Sequence, residues 1–443
     1  MSIDLSRQLK KISHADDGVV AFAYLVLAVT FAIPFFPMPK DEYGYLSPSV
    51  LTFVFIVNAL MFSSKKIFFR ADRRYRIMAY TFALLVAVDY LAVILFNDTA
   101  LQFKYASARA VQFMYFMAIA SYLYNFGRGG FELLVNALVL SAVVISLLII
   151  LQGFGMMTIG NEASGRVLFG VKMPFNKATG TRISDGKLGT LLVPALIFTI
   201  LSLRYPRELP VLGARVAAVL IPVGVVISQS RSMWLGAVVA LFVIQFYLFK
   251  NKWHRRLSFL IYFSLIGTAF YFDIPQTIYQ GAVSEGIYSK NVTNRLEGAY
   301  ISLSQSAENM LYGVGKGAVK IVHETGQAVV IHNMFLDQLV ASGIIGLVPL
   351  AFLFAYPPMV LLRYMSALQR TMDRQRFVFA VGMFVVLLDV LVEVNLYRAY
   401  YNEYLPLYLA MSAFVISRVA FNRTAVKAPP HNPGPRPVVG GPV

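Results

Sequence analysis

The residues best suited to chemistry in this chain are far apart in sequence. His332 and Asn333 stand at the mouth of an apolar run, Met334 to Phe354, which carries one acid, Asp337, near its start. An imidazole with an ordinary pKa of about 6.5 suits proton abstraction at neutral pH. Arg231 lies in Ser228-Gln229-Ser230-Arg231-Ser232, a minimal polar turn between two apolar segments. Arg295 follows Asn294, and Glu297 completes a capping-box arrangement, so this arginine stands beside the free N–H groups of a helix start. A guanidinium in that position makes an anion site suited to phosphate. Arg182, in the segment Gly180 to Gly186, is a further cation in a polar, glycine-rich context.

Each of these has a plainer reading. A histidine at a helix start often caps or packs, an arginine at a span end often snorkels, and one at a helix start is often only solvated. The plain reading is weakest for Arg231, because a lone arginine on the outer side opposes the usual bias of positive charge towards the cytoplasm. A metal site is not expected. His323 and His332 are nine residues apart among scattered acids, no Asp-x-Asp pair stands in the outer loops, and no cofactor motif is present.

Four acids fall inside apolar segments: Asp89, Asp337, Asp389 and Glu393. Asp89 reads as a structural partner for a buried arginine such as Arg109. Asp389 and Glu393 share one helix face at i,i+4, with Glu393 close to Asn395 and Arg398, and either pairing or a place on a substrate path fits them. The run Gly313-Val314-Gly315-Lys316-Gly317 lacks P-loop spacing and a preceding strand. It is expected to end a helix whose apolar stripe is Leu296, Tyr300, Leu303, Ala307 and Leu311, and to turn the chain. Gly343 and Gly346 have a small-xx-small spacing that lets another backbone pack close.

The elements that must position these residues are membrane spans. Hydrophobic residues make up 58% of the 443-residue chain and charged ones 14%, which excludes an ordinary soluble domain. Spans of roughly 20 residues are expected at 18–38, 47–62, 77–96, 106–124, 131–152, 187–203, 212–228, 232–249, 257–273, 333–355, 377–396 and 404–421. The first is too long for a signal-peptide core and lacks a small-residue cleavage site, so it reads as a retained span. The expected fold is therefore an all-α polytopic membrane protein of about 12 transmembrane helices.

Most of the 39 Lys and Arg fall in the tails and in the loops near 63–76, 125–130, 204–215, 250–256 and 363–376. This places those segments in the cytoplasm and puts Arg182, Arg231, Arg295 and His332 together at the outer face. In a soluble protein the net charge of +17 would suggest nucleic acid. Here the loop bias accounts for it, and membrane lipids rather than nucleic acid are the expected surroundings. With no cysteine, disulfides and thiol catalysis are excluded. The chain divides into a cytoplasmic segment 1–17, a first part of the bundle 18–273, a large helical periplasmic loop 274–331, a second part of the bundle 332–421, and a Pro/Gly-rich cytoplasmic tail 422–443 expected to be disordered.

The pattern His332-Asn333, nine residues, Gly343, two residues, Gly346 resembles the His-Asn/Ser/Gln-x9-Gly-x2-Gly signature of bacterial O-antigen ligases. The serine-arginine start of SQSRSMWLGAVVALFV and the Gly-Val-Gly-x-Gly run before the histidine are similar to the same domain, and the likeness covers about residues 180–355. The resemblance implies a GT-C-like, metal-independent membrane glycosyltransferase of the inner membrane, with its active site facing the periplasm. Its donor would be a glycan on undecaprenyl diphosphate and its acceptor a sugar hydroxyl, on lipid A-core for a ligase or on a growing glycan for a polymerase. Arg231 and Arg295 match the arginines that hold the diphosphate and His332 the catalytic histidine, with Arg182 and Asn333 as further substrate contacts. O-antigen and exopolysaccharide polymerases share much of the domain, but no clean arginine-x10-glycine pattern follows Arg182 or Arg295, which favours a ligase. A flippase or secondary transporter is the reading from a different class. Such proteins place charges and broken helices near the bilayer midplane, whereas these arginines lie at a face.

Overall fold

The computed structural model describes residues 73–95, 99–156, 167–168, 171–172, 185–228, 230–248, 253, 256, 300, 303–304, 307, 309–315, 321–322, 328–329, 333–370, 373–396 and 404–420. The expected spans 18–38, 47–62 and 257–273, most of the two long loops and the tail lie outside the described residues.

Lipid offers the backbone no hydrogen-bond partners, so apolar segments satisfy their own N–H and C=O groups as helices. The described helices are α1 (Arg73–Leu95), α2 (Thr99–Gly153), α3 (Asp185–Arg204), α4 (Ala214–Ile227), α5 (Arg231–Leu248), α6 (Met334–Arg370), α7 (Arg374–Leu396) and α8 (Tyr404–Ala420). By length and composition α1, α7 and stretches of α2 and α6 can each cross a membrane, while α3, α4, α5 and α8 contribute shorter apolar helices. This is the body of a helical membrane protein. Two small antiparallel ladders depart from the all-α expectation. Val167–Leu168 pairs with Val171–Lys172, and Ile321–Val322 with Ala328–Val329. Both fall in the expected loops, where a backbone outside the spans can pair locally.

Two of the expected spans, 106–124 and 131–152, are the two helical segments of α2, which meet at a break at Gly127 (φ 59, ψ −132). The loop expected between them shrinks to this single break, at a conformation open to glycine because it has no Cβ. The segment before the break packs on α1, where the Tyr75 hydroxyl donates to Ala120 O at 2.9 Å. The segment after it lies against α4, where Gly224 leaves room for Ser146.

Most of the core is apolar. Leu188, Leu191, Leu192, Val193 and Phe198 of α3 are buried, as are Leu405, Tyr408, Met411 and Phe414 of α8. Phe131 of α2 stacks on Phe379 of α7 at 4.5 Å and on Phe414 of α8 at 5.9 Å, and meets Phe198 of α3 edge-on, so one ring joins four helices. Val216, Val219, Val223 and Val226 of α4 are exposed along one side, as a lipid-facing surface requires.

Arginines of several helices gather at one end of the bundle. Arg74 donates to Tyr364 Oη at 3.0 Å and to Ile416 O, while Arg128 reaches Glu132, Gln375 Oε1 and Arg207 O. Lysine- and arginine-rich loops expected in the cytoplasm thus meet in space at that end. The start of α5 and the start of α6 lie at the opposite one.

Candidate active site

The second of those starts is built around a broken helix. Inside α6 the backbone leaves helical geometry at Ser342 (φ −138, ψ 17) and Gly343 (φ 64, ψ −162). A break there frees carbonyls and N–H groups that cannot stay unpaired in a buried setting. The segment 309–315 supplies the missing partners. Val314 N donates to Val340 O at 2.8 Å and Gly315 N to Ala341 O at 3.2 Å, while Ile344 N and Ile345 N donate back to Met310 O and Leu311 O at 3.0 and 3.3 Å.

Glycine makes this contact possible on both sides. A Cβ on Gly343 would land on the Leu311 carbonyl, and one on Gly313 (φ 77) would lie 2.6 Å from Gly343 N. The glycines expected to end a helix, turn the chain and admit a close backbone are therefore two halves of one clamp. Gly346 has a different role, since a Cβ there would fall on Ser342 Oγ and crowd Gln338 Nε2.

Those two side chains belong to a buried polar network beneath the break. Gln338 Nε2 donates to Asp89 Oδ1 at 2.7 Å and to Ser342 Oγ. Arg109, fully buried, donates to Asp89 Oδ2 and Gln338 Oε1 at 3.4 Å each and to Gln112 Oε1 at 3.2 Å. The pairing of Asp89 with Arg109 expected from sequence is present. Gln338 and Gln112 were not singled out, although a glutamine inside an apolar span is itself a signal, because an amide in lipid needs a partner. Asp89→Ala would leave the Arg109 guanidinium buried without that carboxylate, so a loss of about 3–5 kcal/mol is expected. Thermal unfolding in detergent should show it, with Asp89→Asn, which keeps an acceptor, losing clearly less.

At the mouth of α6, Asn333 caps the helix. Its Oδ1 accepts from Phe335 N at 2.9 Å and Leu336 N at 3.0 Å, and its Nδ2 donates to Asn395 Oδ1 of α7 at 2.9 Å. His332 is the residue immediately before this cap and lies outside the described residues, as do Arg182 and Arg295. Of the substrate-facing candidates, Asn333 alone has a described side chain.

Arg231 is the first residue of α5, and its turn is held by neighbouring serines. Ser228 Oγ donates to Val225 O at 2.7 Å, Ser230 Oγ is 3.3 Å from Ser232 Oγ, and Trp234 Nε1 donates to Val225 O at 2.8 Å. The first two turns of α5 then pack on the last turns of α7. Ser232 lies beside the Glu393 carboxyl. Gly236 faces Asp389, and Gly189 of α3 faces Glu393, in each case so closely that a Cβ would collide with the carboxylate. Both acids are fully buried. Of the two readings the sequence left open for them, pairing is not seen among the described residues, where neither carboxyl has a hydrogen-bond partner; they sit where α3, α5 and α7 meet.

The backbone therefore brings together what the sequence separates. The start of α5, with Arg231, and the start of α6, just after His332, flank the same last turn of α7: Ser232 stands by Glu393 and Asn333 bonds Asn395. Arg231, which opens α5, and Asn333, which opens α6, thus stand at the end of the bundle where α7 finishes, with two buried acids, Asp389 and Glu393, on that helix.

A family model described as O-antigen ligase matches residues 216–351. That stretch runs from the first turn of α4 through the break in α6. It contains Arg231, Arg295, His332, Gly343 and Gly346 and leaves Arg182 and α7 outside. The resemblance read from the histidine–glycine motif thus has independent support for the O-antigen ligase/polymerase superfamily. Comparison with curated proteins finds no match.

Proposed function

We propose that this chain, whose residues 216–351 match the O-antigen ligase family, is a membrane glycosyltransferase that moves a glycan from undecaprenyl diphosphate to a sugar hydroxyl. The acceptor is lipid A-core, the membrane is the bacterial inner membrane, and the site opens to the periplasm. The observation that supports this reading is the approach of the α5 and α6 starts to the end of α7, through Ser232 beside Glu393 and Asn333 bonded to Asn395.

The mechanism follows from the residue types. His332 takes the proton of the acceptor hydroxyl as its oxygen attacks the anomeric carbon. The bond from that carbon to the diphosphate oxygen breaks, and undecaprenyl diphosphate leaves with the electron pair. Arg231 and Arg295 meet the departing charge with planar forks of N–H donors, which match phosphate oxygens bidentately. Stabilisation fixed in advance at the point where charge develops lowers the barrier most, and two arginines beside a helix N-terminus supply it without a metal.

The test is the material that accumulates on the lipid carrier when the gene is deleted. Complete polymer on the carrier at the periplasmic face is the expected result. Single repeat units would instead mark a polymerase of the same superfamily, and glycan trapped on the cytoplasmic side would mark a flippase.

A further inference from the structure

We infer that Asn395, at the end of α7, is a positioning residue for His332, acting through a two-amide latch to Asn333. The inference rests on the reading of His332 as the base. Asn395 lies beyond the stretch that matches the ligase family.

The latch is pinned at both ends. On α6, Asn333 Oδ1 holds two backbone N–H groups, Phe335 and Leu336, so its amide cannot turn without uncapping the helix. This fixes the direction of its Nδ2. On α7, Asn395 Nδ2 donates to Leu391 O at 2.7 Å, one turn back on its own helix, which turns its Oδ1 outward. The two fixed groups then meet at 2.9 Å. Amide orientation is set independently on each helix, and both settings agree on which atom donates.

A bond of this kind at an exposed position adds little to the stability of two helices already held by buried apolar contacts. Met334 of α6 and Val390 and Val394 of α7 are buried, and the network of Gln338, Asp89 and Arg109 holds α6 one turn further in. What the latch adds is register at the mouth. His332 is joined to Asn333 by a single peptide unit, whose Cα–Cα length is about 3.8 Å. Fixing the Asn333 side chain to α7 therefore fixes the start of α6, to which residue 332 is joined. The same turn of α7 carries Glu393, beside Ser232 and so beside the start of α5. The latch thus sets the spacing between the starts of α5 and α6, the two elements to which the proposed mechanism assigns the cation and the base.

The experiment uses the full chain in membranes, with an undecaprenyl-diphosphate-linked glycan as donor. Asn395→Leu removes the acceptor at similar size and should lower kcat by about 10–100-fold, the cost of a small misplacement of a reacting group. KM for the donor and thermal stability should stay near wild type. Asn395→Asp keeps an oxygen facing Asn333 Nδ2 and should recover most of the rate. The double variant Asn333→Asp/Asn395→Asp sets carboxylate against carboxylate and should lose far more than the product of its singles. In a His332→Ala background, Asn395→Leu should cost nothing further.

An active Asn395→Leu beside an inactive His332→Ala would overturn the latch and leave the base reading standing. So would a loss confined to KM or stability, or one that multiplies in full with His332→Ala. Full activity of His332→Ala would remove the base reading, and the latch with it.

Discussion

His332→Ala is expected to cut glycan transfer by about 10²–10⁴, the usual worth of a positioned general base, while the protein should still insert and bind donor. The expectation of intact folding comes from the helix that follows. α6 does not depend on residue 332 for its cap, because Asn333 Oδ1 already takes the N–H groups of Phe335 and Leu336. Its depth is set by the Gln338–Asp89–Arg109 network and by the clamp at the break. None of these described contacts uses the side chain of residue 332.

The loss should fall on kcat. The proposed mechanism gives donor binding to Arg231 and Arg295, so donor KM should move little in the histidine variant, whereas alanine at either arginine should disturb both constants. Steady-state transfer from a defined undecaprenyl-diphosphate donor, with divalent ions chelated, measures all of this together. Near-normal kcat in His332→Ala would mean that the histidine is structural and the base lies elsewhere.

The helices were legible because lipid leaves the sequence few choices. Apolar runs near 77–96, 187–203, 212–228, 232–249, 377–396 and 404–421 correspond to α1, α3, α4, α5, α7 and α8 within a few residues. Charge sorted their ends, and the arginines that meet around Tyr364, Gln375 and Arg207 are those the loop bias grouped. Pairing of Asp89 with Arg109 was also legible, since a buried charge in an apolar segment requires a partner.

Two kinds of feature were hidden. Breaks inside a continuous apolar run leave hydropathy unchanged. α6 therefore read as a span at 333–355, whereas it runs to Arg370 with an interruption at Ser342 and Gly343. The two spans at 106–124 and 131–152 are present as two helical segments, but the loop expected between them contracts to the break at Gly127. Contacts between elements distant in sequence were the other hidden kind. Asn395 and Ser232 looked like ordinary polar residues at span ends until α7 set one beside Asn333 and the other beside Glu393. The spacing of Gly343 and Gly346 predicted a close backbone, but only the fold shows that this backbone is the Gly313–Gly315 turn.

That clamp yields the largest effect expected for a residue that touches no substrate. Gly343→Ala should leave His332, Arg231 and Arg295 unchanged and still abolish transfer. At φ 64 and ψ −162 the backbone is in a region essentially confined to glycine, and forcing another residue into it costs of order 1–3 kcal/mol. The new Cβ also meets the Leu311 carbonyl, which is backbone and cannot swing aside as a flexible side chain would. Relief of that collision must separate α6 from the 309–315 segment. The four hydrogen bonds across the break would then be lost, each worth about 0.5–1.5 kcal/mol net and more if the freed groups stay buried. Gly213→Ala is a milder reference, because Gly213 (φ 68, ψ 21) lies in the left-handed region that L residues can visit and a Cβ there meets nothing within 4 Å. Thermal unfolding of both variants in detergent, with transfer assayed on the same samples, makes the comparison. Gly213→Ala should lose only about 1–2 kcal/mol and remain active, while Gly343→Ala should lose several times that and transfer nothing. Equal stability losses in the two variants, with transfer preserved in Gly343→Ala, would show that the turn at 309–315 does not need to lock into the broken helix.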